Sequence, residues 1–287
     1  MTVNINTNIA SLNAQRNLNK TSQTLGRTFE RLSSGLRINQ AADDAAGLNI
    51  TTRMTAQIRG FNQAVRNSND AISLIQVTEG ALEETESALQ RIRELSVQAA
   101  SDTLITSDRE DIWDEVVQLV QEIDRISQDT EFNGQVVLGG TAATDMSLKF
   151  QIGADAGKTL DMTIQAAEAS KLGVGLATTL SGGDINGYTT SAAQEHANSM
   201  MNWVDTAISS VSDIRSYLGA MQNRLDSVVS DLQSVSQNTS NARSRIMDAD
   251  IAVETAQLTK SSIMQQAGAA ILAQANAQPQ LALQLLG

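Results

Sequence analysis

From Ile58 onward, apolar residues recur at steps of three, four and seven: Ile58, Phe61, Val65, Ile72, Ile75, Leu82, Leu89, Ile92 and Leu95, with Ser68, Glu79 and Glu86 filling stripe positions. That period is helical. With Asp43 and Asp44 as candidate caps it predicts one helix from about Ala45 to Ala100, roughly 80 Å long at the helical rise per residue. A second helix is predicted behind Ser107 and Glu110, whose S-x-x-E spacing is that of a capping box. Its stripe is Ile112, Val116, Leu119, Ile123 and Ile126, widened by Trp113, Val117 and Val120, and Asn133-Gly134 marks a turn beyond it. The strictest repeat lies further on. Val204, Val211, Leu218, Leu225 and Leu232 form one heptad series, and Ala207, Ile214, Met221, Val228 and Val235 form another, offset by three. Such a seam needs a partner of matching length, and the Ile58–Leu95 stripe is the candidate.

Between these helices the period changes to two. Met146, Leu148, Phe150 and Ile152 alternate with polar residues, and Leu160, Met162 and Ile164 do so after the turn-rich Gly153–Gly157. This predicts a β-hairpin near 146–164. Gly173, Gly175, Gly182, Gly183 and Gly187 predict a loop near 173–190. Both ends carry thinner stripes. Ile5, Ile9 and Leu12 precede Leu18, Leu25, Phe29, Leu32 and Leu36 at one end. At the other stand Ile251, Leu258, Met264, Ala267, Ile271, Leu281 and Leu285. Faces this narrow fold poorly in isolation and call for a partner.

Composition removes most chemistry. The 287 residues hold no Cys, one His and one Pro, so thiolate and multi-histidine metal sites are excluded and long uninterrupted helices are permitted. A net charge of −12 argues against nucleic-acid binding. No run approaches the apolar length of a membrane span, and the first 20 residues lack the basic and apolar regions of a secretory signal. On these grounds alone the chain reads as cytoplasmic. His196 reads as a helix-surface residue, and Asp248 and Asp250 as capping or charge-pairing residues, since two carboxylates do not make a cation site. Gly182-Gly183-Asp184 lacks the Lys-Ser/Thr of a phosphate cradle. No catalytic residue, cofactor site or metal site is expected, and an enzyme is the weakest reading.

Several ordered motifs are more specific. Leu32-Ser33-Ser34-Gly35-Leu36-Arg37-Ile38-Asn39, then Ala42-Asp43-Asp44-Ala45-Ala46-Gly47-Leu48, Thr78-Glu79-Gly80-Ala81-Leu82 and Gln90–Gln98 closely resemble the amino-terminal signature of bacterial flagellins. Leu218–Leu225, Ala242–Asp250, Gln265–Gly268 and Leu272–Asn276 resemble the carboxy-terminal one. The resemblance implies a mainly α, hairpin-like chain with a long antiparallel helical rod, a terminal coiled coil and a small β-hairpin. Residues 1–43 plus 245–287 would form the inner coiled coil and 44–244 the rod, with no outer domain. Leu18, Leu25, Phe29, Leu32, Leu258, Met264, Ile271 and Leu285 would serve the assembly coiled coil.

The resemblance further implies a subunit that self-assembles into an open helical homopolymer, the flagellar filament, for swimming motility. It would be exported unfolded through the flagellar channel by the type III apparatus, which reverses the cytoplasmic reading to a secreted, extracellular one. Expected partners are an export chaperone, the hook-associated junction and cap proteins, and a vertebrate Toll-like receptor that would meet Gln90, Arg91, Leu95 and Glu115. Neither nucleic acid nor membrane insertion is expected. Two alternatives stand beside this reading: a hook–filament junction protein with similar termini, and a coiled-coil binding module that explains the heptads but not the ordered motifs.

Overall fold

The computed structural model describes residues 8–139, 145–175 and 190–284. The chain divides into two compact units, Arg59–Ser236 and Met1–Ile58 with Gln237–Gly287. Its elements in order are helices α1 (Ile9–Ser34), α2 (Ala45–Ala99) and α3 (Thr106–Asp129). Strands β1 (Glu131–Phe132), β2 (Gln135–Val136), β3 (Met146–Gln151) and β4 (Thr159–Ile164) follow, then helices α4 (Thr190–Met247) and α5 (Ile251–Gln284).

In the Arg59–Ser236 unit, α2 and α4 share one core with α3 and the β3–β4 hairpin. The two long helices run in opposite directions. Arg93 Nε meets Asp205 at 2.6 Å, Arg215 holds Glu86 and lies 3.8 Å from Glu79, and the Ser236 hydroxyl donates to Asn62 at 3.2 Å. On α4 the expected heptads are buried from Val204 to Leu225 and again at Leu232. The seam also begins earlier, at Ala197 and Met200, and it opens at its far end, where Val228 is half-buried and Val235 is 36% exposed.

The face that α2 buries differs from the one its large apolar residues outline. Its seam is Ala64, Ser68, Ala71, Ile75, Thr78, Leu82, Thr85, Leu89, Ile92 and Ser96, alternating steps of four and three. The hydroxyls of Ser68, Thr78, Thr85 and Ser96 donate to the carbonyls four residues back at 2.8–2.9 Å. Each polar atom is thereby satisfied within its own helix and can enter the core without the cost of an unpaired donor. Val65 and Ile72 are only half-buried, and Glu79 and Glu86 stand beside the seam as partners of Arg215.

The start of α3 also differs from expectation. The helix begins at Thr106, and the Asp108 carboxylate accepts the Ile105 N–H at 3.4 Å, so Ser107 and Glu110 form no capping box. Beyond α3, Asn133 (φ 53°) and Gly134 (φ 76°) both take the left-handed conformation. That is the geometry of a two-residue hairpin turn, and it closes β1 onto β2. β3 pairs antiparallel with β4 from Met146–Ile164 to Gln151–Thr159, as alternation predicts, and Leu160, Met162 and Ile164 fill the core. Most of the expected glycine-rich loop, residues 176–189, lies outside the described residues.

In the other unit α1 and α5 are antiparallel. The Asn8 amide donates to the Ala275 carbonyl at 2.7 Å, Ser11 donates to Asn276 at 2.7 Å, and Arg31 reaches Glu254 at 3.3 Å. Asn8 caps α1 by accepting the Ser11 N–H, and Gly35 (φ 71°) ends it in the left-handed conformation that glycine adopts freely. Two helix breaks then lie side by side, joined by the Leu36–Asp248 bridge. The Arg37 N–H donates to Met247 O at 2.7 Å and the Ala249 N–H to Gly35 O at 2.9 Å. Asp44 caps α2 through the Gly47 N–H at 2.8 Å, and Asp250 caps α5 through Ala252 and Val253 at 2.9 and 3.2 Å. These ties hold both breaks inside the unit made of Met1–Ile58 and Gln237–Gly287.

Candidate functional site

The α1–α5 seam is built from small and polar side chains. Ala14 and Thr28 on α1, and Ser261 and Ala275 on α5, are its buried members. Leu18, Leu25, Leu32 and Leu258 are half-buried along it. Gly268 permits close approach: a Cβ there would stand 3.3 Å from Leu18 Cδ1. Little apolar area is removed from water by this pairing, so it contributes little stability.

Other large apolar residues point elsewhere. Phe29 is 65% exposed, and Ile9, Ile263, Met264 and Ile271 are similarly open, as are Ile251 and Val253. Beside the seam, a groove of about 500 Å³ is lined by Leu18, Thr21, Ser261, Met264, Gly268 and Ile271, among others. The residues expected to form one assembly seam therefore separate into two sets. Four leucines serve the pairing within the chain, whereas Phe29, Met264 and Ile271 lie outside it. Ile5 and Leu285 lie outside the described residues. Sequence reasoning missed Val253 and Ile263, because a search for a single stripe discards a helix that is apolar on several faces.

A second surface lies on α2 and α3. Gln90, Arg91 and Glu115 are exposed. Arg91 donates twice to Glu115 Oε1, at 3.0 and 2.8 Å, and once to Glu94 at 3.1 Å. The Glu115 hydrogen bonds, then those of Glu94, raise the guanidinium's pKa above its ordinary value. Leu95 does not belong to this surface. It is 2% exposed and part of the core that α2 shares with α3, because α3 covers a second flank of α2. His196 sits half-buried on α4. Among the described residues there is no cluster of three or more metal-ligating side chains, and no helix is long and apolar enough to cross a membrane.

A chain whose core is closed in one unit, while its terminal helix pair leaves the large apolar residues uncovered, is organised for association. Known proteins agree. Residues 5–143 match the family described as the bacterial flagellin N-terminal helical region, and residues 201–286 match the C-terminal helical region. A flagellin of Halalkalibacterium halodurans is 45% identical over 98% of this chain and 99% of its own length. A flagellin of Bacillus subtilis is 43% identical over the same shares. A solved structure of a putative flagellar hook-associated protein from Vibrio parahaemolyticus shares the fold, with a TM-score of 0.60 at 13% identity, covering 72% of this chain and all of that one. The chain belongs to the bacterial flagellin family. Within it, this is a form without outer domains, a structural subunit of the extracellular flagellar filament.

Proposed function

We propose that copies of the chain join through the outward apolar faces of α1 and α5, and that this contact, not the pairing within one chain, drives filament growth. The observation that carries the reading is the inversion of burial in the terminal unit, where Thr28 and Ser261 are buried while Phe29 and Ile263 are exposed. Neighbouring copies supply the missing cover, so ordering of the terminal helices is coupled to assembly. The contact does not close on itself, and the product is an open helical polymer. Elongation of filament seeds by a Phe29→Ser, Ile271→Ser double variant tests this. The variant is expected to melt like the parent and to fail to elongate seeds, and normal elongation would overturn the reading.

Export of the unfolded chain through the flagellar channel belongs to the same proposal. It is supported by the absence of cysteine, since a disulfide would obstruct threading. An export chaperone and the hook-associated junction and cap proteins are the partners it requires. Recognition by a flagellin-sensing Toll-like receptor is proposed for Gln90, Arg91 and Glu115, all exposed, with Arg91 and Glu115 in contact. Identity of 45% to a flagellin over 98% of the chain favours the filament subunit over a hook–filament junction protein.

A further inference from the structure

Sulfur in this chain is carried by methionine alone, with nine Met and no Cys. Among the described residues Met162, Met200 and Met221 are buried, and Met54, Met146, Met201 and Met247 are half-buried. Met264 is 55% exposed. It is thus the most exposed of the described methionines. It also lines the terminal groove beside Leu18, Gly268 and Ile271. Accessibility governs methionine oxidation, and the sulfoxide is polar where the thioether is apolar.

We propose that Met264 is a reversible oxidation site that determines whether a free subunit can be added to the polymer. The inference rests on the reading of the α1 and α5 faces as the assembly surface. The oxidant is a peroxide. The Met264 sulfur lone pair attacks the peroxide oxygen, an S–O bond forms as the O–O bond breaks, and water leaves. Sulfur loses two electrons and the peroxide gains them. Reversal removes that oxygen as water while two thiols of a reductant become a disulfide, as methionine sulfoxide reductases do. In the groove, the new S=O dipole shares its lining with the apolar Leu18 and Ile271, and the Thr21 and Thr24 hydroxyls there already donate to the carbonyls of Asn17 and Lys20 at 2.9 and 3.0 Å. A neighbouring copy that covers the groove strips water from that dipole, and burial of a polar group without full compensation is unfavourable. Once covered, the thioether is shielded, so the filament resists the reagent that disables its free subunits.

The test treats the full-length monomer with dilute hydrogen peroxide. Peptide mass spectrometry follows sulfoxide at each methionine, and light scattering follows elongation from filament seeds. Met264 should oxidise several-fold faster than Met162 or Met200, and elongation should fall about tenfold as its sulfoxide accumulates. Methionine sulfoxide reductase with a thiol should restore it, and the elongation rate of Met264→Leu, whatever its untreated value, should not fall after the same dose. Unchanged elongation by monomer oxidised at Met264, or equal loss in Met264→Leu, would overturn the inference and leave the assembly reading intact. Should Met264→Leu fail to elongate untreated, rescue of the oxidised parent by the reductase decides: recovery supports the inference and no recovery overturns it. Equal oxidation of Met264 in filament and monomer would overturn the assembly reading itself.

Discussion

Arg109, in the first turn of α3, donates from Nε to the carbonyl of Ala99, the last residue of α2, at 3.2 Å. Its Nη2 donates to Ser101 O at 2.9 Å, and the residue is 8% exposed. A cation therefore closes the negative end of α2, and the corner between the two helices is set by one side chain. Arg109→Ala should lower stability by about 2 kcal/mol, the scale of lost hydrogen bonds to a charged group. Urea titration of the monomer checks it, with the midpoint expected to fall at unchanged slope.

The heptad seam yields a contrast between two positions on one helix. Leu225 is 1% exposed and Val235 is 36% exposed. Leu225→Asp places a carboxylate in the α2–α4 core and should cost roughly 3 kcal/mol or more, whereas Val235→Asp should fall within about 0.5 kcal/mol of the parent. Helical circular dichroism on heating compares them. Equal melting temperatures would mean that the seam does not run to Leu225.

Under the proposed receptor contact, Arg91 and Leu95 should separate cleanly. Arg91→Ala removes exposed ion pairs that contribute little stability, and it should reduce receptor activation by monomers without shifting the melt. Leu95→Ala empties a core position and should cost about 2–5 kcal/mol, and any loss of activation should track its lower melting temperature. A receptor defect in Leu95→Ala at unchanged stability would place that side chain at the contact surface after all.

Acid should loosen the turn before α2. Asp43 accepts the N–H groups of Asn39 and Gln40 at 3.2 Å each, and these bonds hold its carboxyl below its ordinary value of 3.8 against the opposing effect of burial, with smaller help from Arg31 and Arg27. The folded pKa is the lower one, so the stabilisation is complete above the unfolded value and is lost as pH falls through the folded value. Amide exchange at Asn39 and Gln40, corrected for intrinsic rates, should accelerate below that range, and Asp43→Asn should abolish the dependence.

Removal of residues 244–287 should leave the Arg59–Ser236 unit folded, because its seam from Ala64 to Leu232 lies within the remaining chain. The truncated protein should melt cooperatively and should not elongate seeds. Loss of the transition would make the tail part of the monomer core, and normal filaments would make it dispensable to assembly.

Helix α4, the hairpin and the limits of α2 were legible from residue order alone. Large apolar side chains at a regular period have one low-energy disposal, on the buried side, and Val204–Leu225 or Leu160–Ile164 reveal it without reference to a partner. Asp44 and Asp250 were legible for a similar reason, since a cap acts within four residues of itself.

What only the tertiary structure decided concerns faces that depend on a neighbour. Thr78 and Thr85 look polar in sequence, yet they are core residues, because α4 covers them and their hydroxyls are already paired with their own helix. Leu95 looks like a surface neighbour of Arg91, yet α3 packs over that flank. In α1 and α5 the logic inverts. Small and polar residues pair closely, and the larger Phe29, Ile263 and Met264 remain outside. Periodicity records that a face is apolar. It carries no information about which surface will meet it, since hydrophobic burial is non-directional and the choice rests on shape and on satisfied hydrogen bonds across the contact.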